Sequence, residues 1–525
     1  FEHEYPHCWR CKTPILFRAT DQWFCSVDDF KDKAVDAINT VQWIPAWGKD
    51  RITAMVRDRK DWCISRQRKW GVPIPIFYCK ECGEPHIDKA AMLAVADLFG
   101  KEGSNAWFEK DASEILPEVT ACKKCGGTEF EKETDIMDVW FDSGSSWRAV
   151  CKRRPYLGAP VDLYLEGNDQ YRGWFNSSLI VGVATNGVAP YKSVLSHGYV
   201  VDGNGFKMSK SVGNTIDPND VMKQYGADIL RLWVSSVDFK ADLKCSNELF
   251  KINSEQYRKI RNTLKYLLGN INPLDFDKEK DLIAYEGLKE VDKYVLVKLN
   301  KVVKSVIDSY NAYNYIDVNN TLFNFITNTL SAFYCDYAKD ILYIEKKDDL
   351  RRRQVQSVFY QVTDALIKLY APILSYTMEE AYWIFEEKGE KSVFLTRFPE
   401  VKDYADADAL EAKWDKFMVV RSDILKALEE AKTSGMIKKA LEAKVVLKVK
   451  EGYEEVLEGL SEHEIAQLVI ASQAEVSEEE MNEYQASFVK IEKFDGVTCP
   501  RCWNVVPAHE VDENGLCLRC QKVLK

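Results

Sequence analysis

Residues 207 to 211 read Lys-Met-Ser-Lys-Ser, with Gly203, Gly205 and Gly213 on either side. Two ammonium groups three residues apart, with the hydroxyls of Ser209 and Ser211, can hold the oxygens of a polyphosphate as charge moves onto a departing pyrophosphate. The glycines let such a loop close over a ligand and reopen. Five residues with two lysines also describe a solvated basic turn, so the surrounding elements must decide. Upstream, the run 161–165 is apolar; Glu166-Gly167-Asn168-Asp169-Gln170-Tyr171-Arg172-Gly173-Trp174-Phe175 follows, then a helical pattern to about Val183. This predicts a strand, a polar turn and a helix. A second apolar run, 193–201, contains His197 and Gly198 and leads into the lysine loop. Open α/β sheets bind ligands beyond the ends of such strands.

Cysteine spacing gives a second chemistry. Of fifteen cysteines, ten form five Cys-x-x-Cys pairs, a pattern that favours metal over disulfide where no secretory signal is present. Cys499, Cys502, Cys517 and Cys520 have the spacing of a four-thiolate zinc ribbon in a segment too short to build its own core. Cys79, Cys82, Cys122 and Cys125 predict a second zinc site across a longer insertion. Cys8 and Cys11 have no partner pair in this sequence and are expected to complete a site with cysteines upstream of Phe1. Cys25, Cys63, Cys151, Cys245 and Cys335 are expected to be small buried residues.

The elements that must carry these sites change character near Asn247, from mixed strand and helix to long amphipathic helices. Val295, Leu299, Val302, Val306 and Tyr310 share one helical face, as do Val318, Leu322, Phe325, Leu330, Phe333 and Tyr337. A third helix carries Val355, Val358, Phe359, Val362, Leu366 and Leu369 and stops at Pro372. The next is expected to start with Thr377 and Glu380 as a capping box, and a further helix spans about 415–433. Residues 443–449 and 487–493 alternate like strands, framing a small α/β module that carries the ribbon. Beside Cys502, Arg501 and Trp503 are expected to be held outward, where they could stack on an unpaired base or contact an RNA backbone; Trp503 packed under the knuckle is the other reading.

Length suits about three domains, and 46% apolar residues supply their cores. No signal peptide or long apolar run is visible, so no membrane partner is expected. A net charge of −11 excludes a protein that coats nucleic acid indiscriminately; any RNA surface must be a local basic face.

The segments Asp61-Trp62-Cys63-Ile64-Ser65-Arg66-Gln67-Arg68 with Trp70-Gly71, Asp138-Val139-Trp140-Phe141-Asp142-Ser143-Gly144, Glu166 to Phe175, and Lys207 to Ser211 resemble the later part of class I aminoacyl-tRNA synthetases. The Glu166 to Phe175 stretch and the terminal cysteine module point to the isoleucine branch. The resemblance implies an α/β plus all-α chain in three parts. Residues 1–246 would be the second part of a Rossmann-like catalytic domain, with a zinc-knuckle insertion at about 76–130 and the lysine loop at 207–211. Residues 247–435 would be a helical anticodon-binding bundle, and 436–525 a small α/β module ending in a zinc ribbon at 499–520. It further implies that isoleucine attacks the α-phosphate of ATP, accompanied by Mg2+, and that the acyl group then passes to a terminal ribose hydroxyl of tRNA(Ile). Lys210 and, secondarily, Lys207 would stabilise the phosphates, and Glu166 would contact the adenylate. Asp169 and Gln170 would shape the pocket, and Gly167, Met208, Ser209 and Ser211 would complete the nucleotide site. A cytoplasmic monomer is implied.

One family signature, a His-x-Gly-His turn, is missing: none of His3, His7, His86, His197, His463 and His509 stand three apart. Nothing resembles the family's editing domain. The expectation is a C-terminal fragment that cannot activate isoleucine alone. A non-catalytic tRNA-binding relative, a sibling enzyme for valine, leucine or methionine, and a zinc-dependent structural adaptor are the other readings.

Overall fold

The computed structural model describes residues 3–8, 10–209, 212–386, 390–479 and 481–525. They form two compact units, residues 1–200 with 239–243, and residues 201–238 with 244–525.

In the first unit, β1 (Gln42–Ile44), β2 (Val161–Gly167) and β3 (Tyr191–His197) make a parallel sheet in the order β1-β3-β2. The register pairs Ser193 with Gln42 and with Leu163, so β2 and β3 end together at Gly167 and His197, two residues beyond the end of β1 at Ile44. The helix α1 (Val139–Gly144) lies against α2 (Trp174–Asn186), and a methyl on Gly144 would sit 2.8 Å from the Ser177 backbone. That close approach requires glycine. Residues 175–183 are buried at every position, the polar Asn176, Ser177 and Ser178 included, which is why this helix has no single apolar stripe. The predicted strand, turn and helix are present, with a 3-10 turn at Asn168–Arg172. The second run is shorter as a strand than its apolar pattern: β3 stops at His197, because Gly198 passes so close to Ala241 that an added methyl would be 2.2 Å from its carbonyl oxygen.

The cysteine-bearing insertion folds on its own small core. Phe77–Cys79, Pro85–His86 and Phe130–Lys132 form an antiparallel sheet, covered by the helix Lys89–Glu102 around Phe77, Val95, Trp107 and Phe130.

In the second unit, α3 (Asn247–Asn270), α4 (Glu290–Asn311), α5 (Cys335–Ile344), α6 (Leu350–Tyr370), α7 (Ser375–Phe385) and α8 (Ala407–Thr433) bury the apolar faces legible in the sequence. Buried Asp292 of α4 ties three elements together, accepting bonds from both Arg351 Nη atoms at 2.5 and 2.8 Å and from the Tyr334 hydroxyl at 2.6 Å. Three expectations are corrected. Residues 325–334 are π-helical between Tyr315–Asn324 and α5, α8 begins at Ala407, and Thr377 and Glu380 form no capping box. Thr377 lies inside α7, and its N–H and hydroxyl both donate to Asp228, at 2.7 and 2.5 Å, so a carboxylate from another helix caps this one.

The chain then forms β4 (Ala443–Val449), α9 (Glu462–Val469), β5 (Gln473–Val476), β6 (Asn482–Glu483) and β7 (Ser487–Lys493), with sheet order β5-β4-β7-β6. The two strands expected from alternation are β4 and β7, its central antiparallel pair. Of the single cysteines, Cys245 and Cys335 are buried as expected, whereas Cys25, Cys63 and Cys151 are only half-buried. Among the described residues, no helix is long and apolar enough to cross a membrane.

Candidate functional site

In the first unit the polar groups gather at the strand ends. Glu166 is exposed at the end of β2, its carboxylate accepting the Gly167 N–H at 3.1 Å. Gly167 pairs with His197 across the sheet, and an added methyl would lie 2.7 Å from Asp169 Oδ1. Gln170 has two positioning bonds: Nε2 donates to Asp169 Oδ2 at 3.0 Å, and Oε1 accepts the Trp174 N–H at 3.0 Å, satisfying a free amide at the start of α2. Gly173 leaves space for the Trp140 ring, which an added methyl would meet at 2.7 Å. Tyr171 is buried, with its hydroxyl 3.0 Å from Ser196 Oγ and the Arg51 guanidinium over its ring.

The motif segments around Trp62 and Asp138 buttress this edge. Asp138 caps α1 and accepts from Trp62 Nε1 at 2.9 Å and Arg66 Nη2 at 3.0 Å. Burial, with Asp138 as a second contributor, pushes the Asp142 carboxyl up to about 6. A carboxyl raised in this way within a motif is a site candidate that residue types alone did not single out.

The lysine loop lies in the second unit. Lys210 and Ser211 fall outside the described residues; Lys207 is exposed, and Met208 tucks against the buried cluster of Val221, Trp233 and Phe250. Sequence reasoning missed the two residues that shape the loop. Asp202 accepts the N–H groups of Asn204 and Phe206 and Asn214 Nδ2, and Asn214 reaches across to the Ser209 N–H and the Lys207 carbonyl. The Asn214 bond and the Phe206 N–H hold the Asp202 carboxyl below its usual range. Gly205 and Gly213 have φ of 90° and 75°, so both turns of the loop need glycine.

Each cysteine tetrad converges, with all four sulfurs within 4.8 Å of one another. Cys79 Sγ is 3.5 Å from Cys125 Sγ, Cys82 Sγ is 3.6 Å from Cys122 Sγ, and Cys502 Sγ is 3.6 Å from Cys517 Sγ. No disulfide is formed. Thiolates about 2.3 Å from a tetrahedral zinc lie about 3.8 Å apart, so both sets are consistent with zinc. Backbone N–H groups of Cys125 and Lys124 bring Cys122 down to about 7. Burial raises Cys499, but the N–H groups of Cys502, Cys517 and Arg501 outweigh it and leave the thiol at about 6. These two thiols are the readier to ionise for a metal, while Cys82, Cys125, Cys502 and Cys520 are raised. Cys8 and Cys11 form a lone knuckle in which Thr13 holds Cys11 at about 7.

Four of the five knuckles share a backbone feature that the one at Cys517 and Cys520, which runs into the helix Leu518–Leu524, lacks. The residue after the second cysteine has positive φ at Lys12, Gly83, Gly126 and Trp503. Glycine is the unstrained choice there; tryptophan is not. Trp503 is nevertheless held 67% exposed. Arg501, expected beside it, is instead half-buried and donates to the Ile344 carbonyl at 2.7 Å.

A basic face is visible on α3. Lys251, Arg258 and Lys265 recur every seventh residue, with Arg261 beside them, all exposed. Glu255 is the one acid within the row. Among the described residues these four cations make no ion pair. Several other cations of the bundle are neutralised, Lys298 by Glu411 and Arg352 by Asp275 for example. The helix starts beside the lysine loop, where Gly203 lies against Ser246, whose hydroxyl caps α3.

The family model for tRNA synthetases class I (I, L, M and V) matches residues 10–246, and that for the anticodon-binding domain of tRNA ligase matches residues 292–447. The isoleucine–tRNA ligase of Carboxydothermus hydrogenoformans is 50% identical over 534 residues, covering 100% of this chain and 57% of that protein. The chain is a homologue of the isoleucine–tRNA ligases. The corresponding enzyme of Bacillus mycoides is 49% identical over 531 residues, with the same coverage of 100% and 57%. The chain thus spans less than two thirds of the length of these ligases. Among solved structures, the methionyl-tRNA synthetase of Mycobacterium tuberculosis in complex with methionyl-adenylate is similar in fold, with a TM-score of 0.51 at 17% identity over 74% of this chain and 72% of that one.

Proposed function

We propose that the chain is the phosphate-gripping and tRNA-holding part of an isoleucine–tRNA ligase. The observation that carries this is the 50% identity to an isoleucine–tRNA ligase along the whole chain. In the complete reaction, isoleucine displaces pyrophosphate from ATP, and the adenylate then gives its acyl group to the terminal ribose of tRNA(Ile). Lys207 and Lys210, with Ser209 and Ser211, neutralise the departing phosphates of Mg2+-bound ATP. Met208 anchors the loop. Glu166 meets the adenylate, while Gly167, Asp169 and Gln170 set the shape of its pocket. Because no His-x-Gly-His turn is among its residues, the chain alone binds its ligands without activating isoleucine.

On this reading residues 1–246 are catalytic, with a knuckle insertion at 76–130; 247–435 bind the anticodon stem; and 436–525 form the module that ends in the ribbon. Zinc at each tetrad supplies rigid knuckles, which the small cores around them could not do alone. RNA phosphates lie along Lys251, Arg258, Arg261 and Lys265, a row about 21 Å long. Trp503 stacks on an unpaired base; the strain of its backbone is what supports a binding role over a packing one. The working form is a cytoplasmic monomer.

Capture from a total tRNA pool, with zinc present and then with chelator, followed by sequencing of what is retained, tests this. Isoleucine tRNA should be enriched, and the enrichment should fall with chelator. Enrichment of valine, leucine or methionine tRNA, or of none, would contradict it.

A further inference from the structure

Both ribbon knuckles carry an arginine just before their second cysteine: Cys499-Pro500-Arg501-Cys502 and Cys517-Leu518-Arg519-Cys520. The two arginines reach the same place, the C-terminal end of α5. Arg501 Nη2 donates to the Ile344 carbonyl at 2.7 Å, and its Nη1 lies 3.5 Å from Cys520 Sγ. Arg519 donates from Nη1 to Asp340 Oδ2 and from Nε to Glu345 Oε1, both at 2.6 Å. Its Nη2 lies 3.4 Å from the Asp340 carbonyl. A helix C-terminus has unpaired carbonyls and a negative dipole end, so two cations there are well placed. The Ile344 side chain packs on the four cysteines themselves. Asp340 also accepts from Gln467 Nε2 of α9 at 2.9 Å, joining the α/β module to the same carboxylate. Between ribbon, α5 and α9 lies a cavity of about 940 Å³ whose lining includes Tyr343, His463, Gln473, Trp503 and Asn504.

We infer that Arg501 and Arg519 are positioning residues that latch the metal-held ribbon onto the end of α5. They fix the width of this cavity and the direction of Trp503, and so govern tRNA affinity without touching RNA. Their donors are engaged within the protein, unlike those of the α3 row. Only the link to affinity rests on the tRNA reading above.

Hydrogen exchange of residues 335–345 in the zinc-loaded chain without RNA, then tRNA(Ile) affinity across salt concentrations, tests the latch in Arg519→Ala, Arg519→Lys and Asp340→Asn. The last leaves both knuckles untouched and stands in if Arg519→Ala loses zinc. Arg519→Ala and Asp340→Asn should speed exchange about tenfold or more, with partial rescue in Arg519→Lys. Affinity should fall while the slope of log K against log salt stays that of the parent. Unchanged exchange, with a slope shallower by about one in Arg519→Ala, would mean a direct phosphate contact and overturn the latch. Faster exchange with unchanged affinity would overturn the coupling to RNA. Absence of tRNA binding by the parent chain would sink the tRNA reading, while the exchange data would still decide the latch.

Discussion

Trp503 condenses the argument at the scale of a residue. Its φ of 64° costs a bulky side chain about 1 kcal/mol, and glycine fills the equivalent position at Gly83 and Gly126. Trp503→Gly is therefore expected to leave zinc content unchanged and urea stability within about 1 kcal/mol of the parent. tRNA(Ile) affinity should drop roughly 5- to 150-fold, the worth of one base stack. Loss of zinc or a large fall in stability would make the ring a structural element instead. Asp142 offers a pH test. Its folded value of about 6 lies above the ordinary 3.8, so the folded state binds the proton more tightly, and stability is lost as pH rises from about 4 to 6. Asp142→Asn should match the parent near pH 4. Above pH 6 it should be more stable by about 1 kcal/mol, a figure reduced for the half-exposed site. Urea midpoints at the two pH values check this; greater stability at pH 4 alone would refute it.

At the scale of elements, the helices and β4 and β7 were legible because burial enforces periodicity. The burial of Val355, Val358, Phe359 and Val362 follows the sequence pattern residue for residue. The π segment was not legible: with Ile326 four residues before Leu330 the apolar spacing is that of an ordinary helical face. The cap of α7 was not either, since Asp228 lies 149 residues from Thr377. Nor was the α3 row, because which cations lack a carboxylate depends on chains meeting in space. The cysteine tetrads were readable from spacing; the turn of Arg501 toward α5 was not. The row predicts that Lys251→Gln, Arg258→Gln and Lys265→Gln each weaken all tRNAs alike and reduce the salt slope by about 0.7–0.9. Weakening confined to isoleucine tRNA would instead indicate base reading. Chelation should loosen residues 77–132 and 497–524 to hydrogen exchange while α6 stays protected, because only the former depend on sulfur-lined cores. Uniform loosening would show the metal supporting the whole fold.

For the molecule as a whole, an acidic chain can hold a polyanion only where its charge is locally reversed. The lysine loop, the start of α3 and the row along it follow one another in the second unit, and the ribbon is fastened to the bundle in that same unit. On the proposed reading, tRNA runs along α3 and makes a contact at Trp503. Photo-crosslinking of tRNA(Ile) to the zinc-loaded chain, with the attached peptides mapped by mass spectrometry, tests that assignment most directly. Crosslinks should concentrate in residues 247–270 and 499–504. Their absence from both segments, with crosslinks elsewhere on the chain, would contradict it.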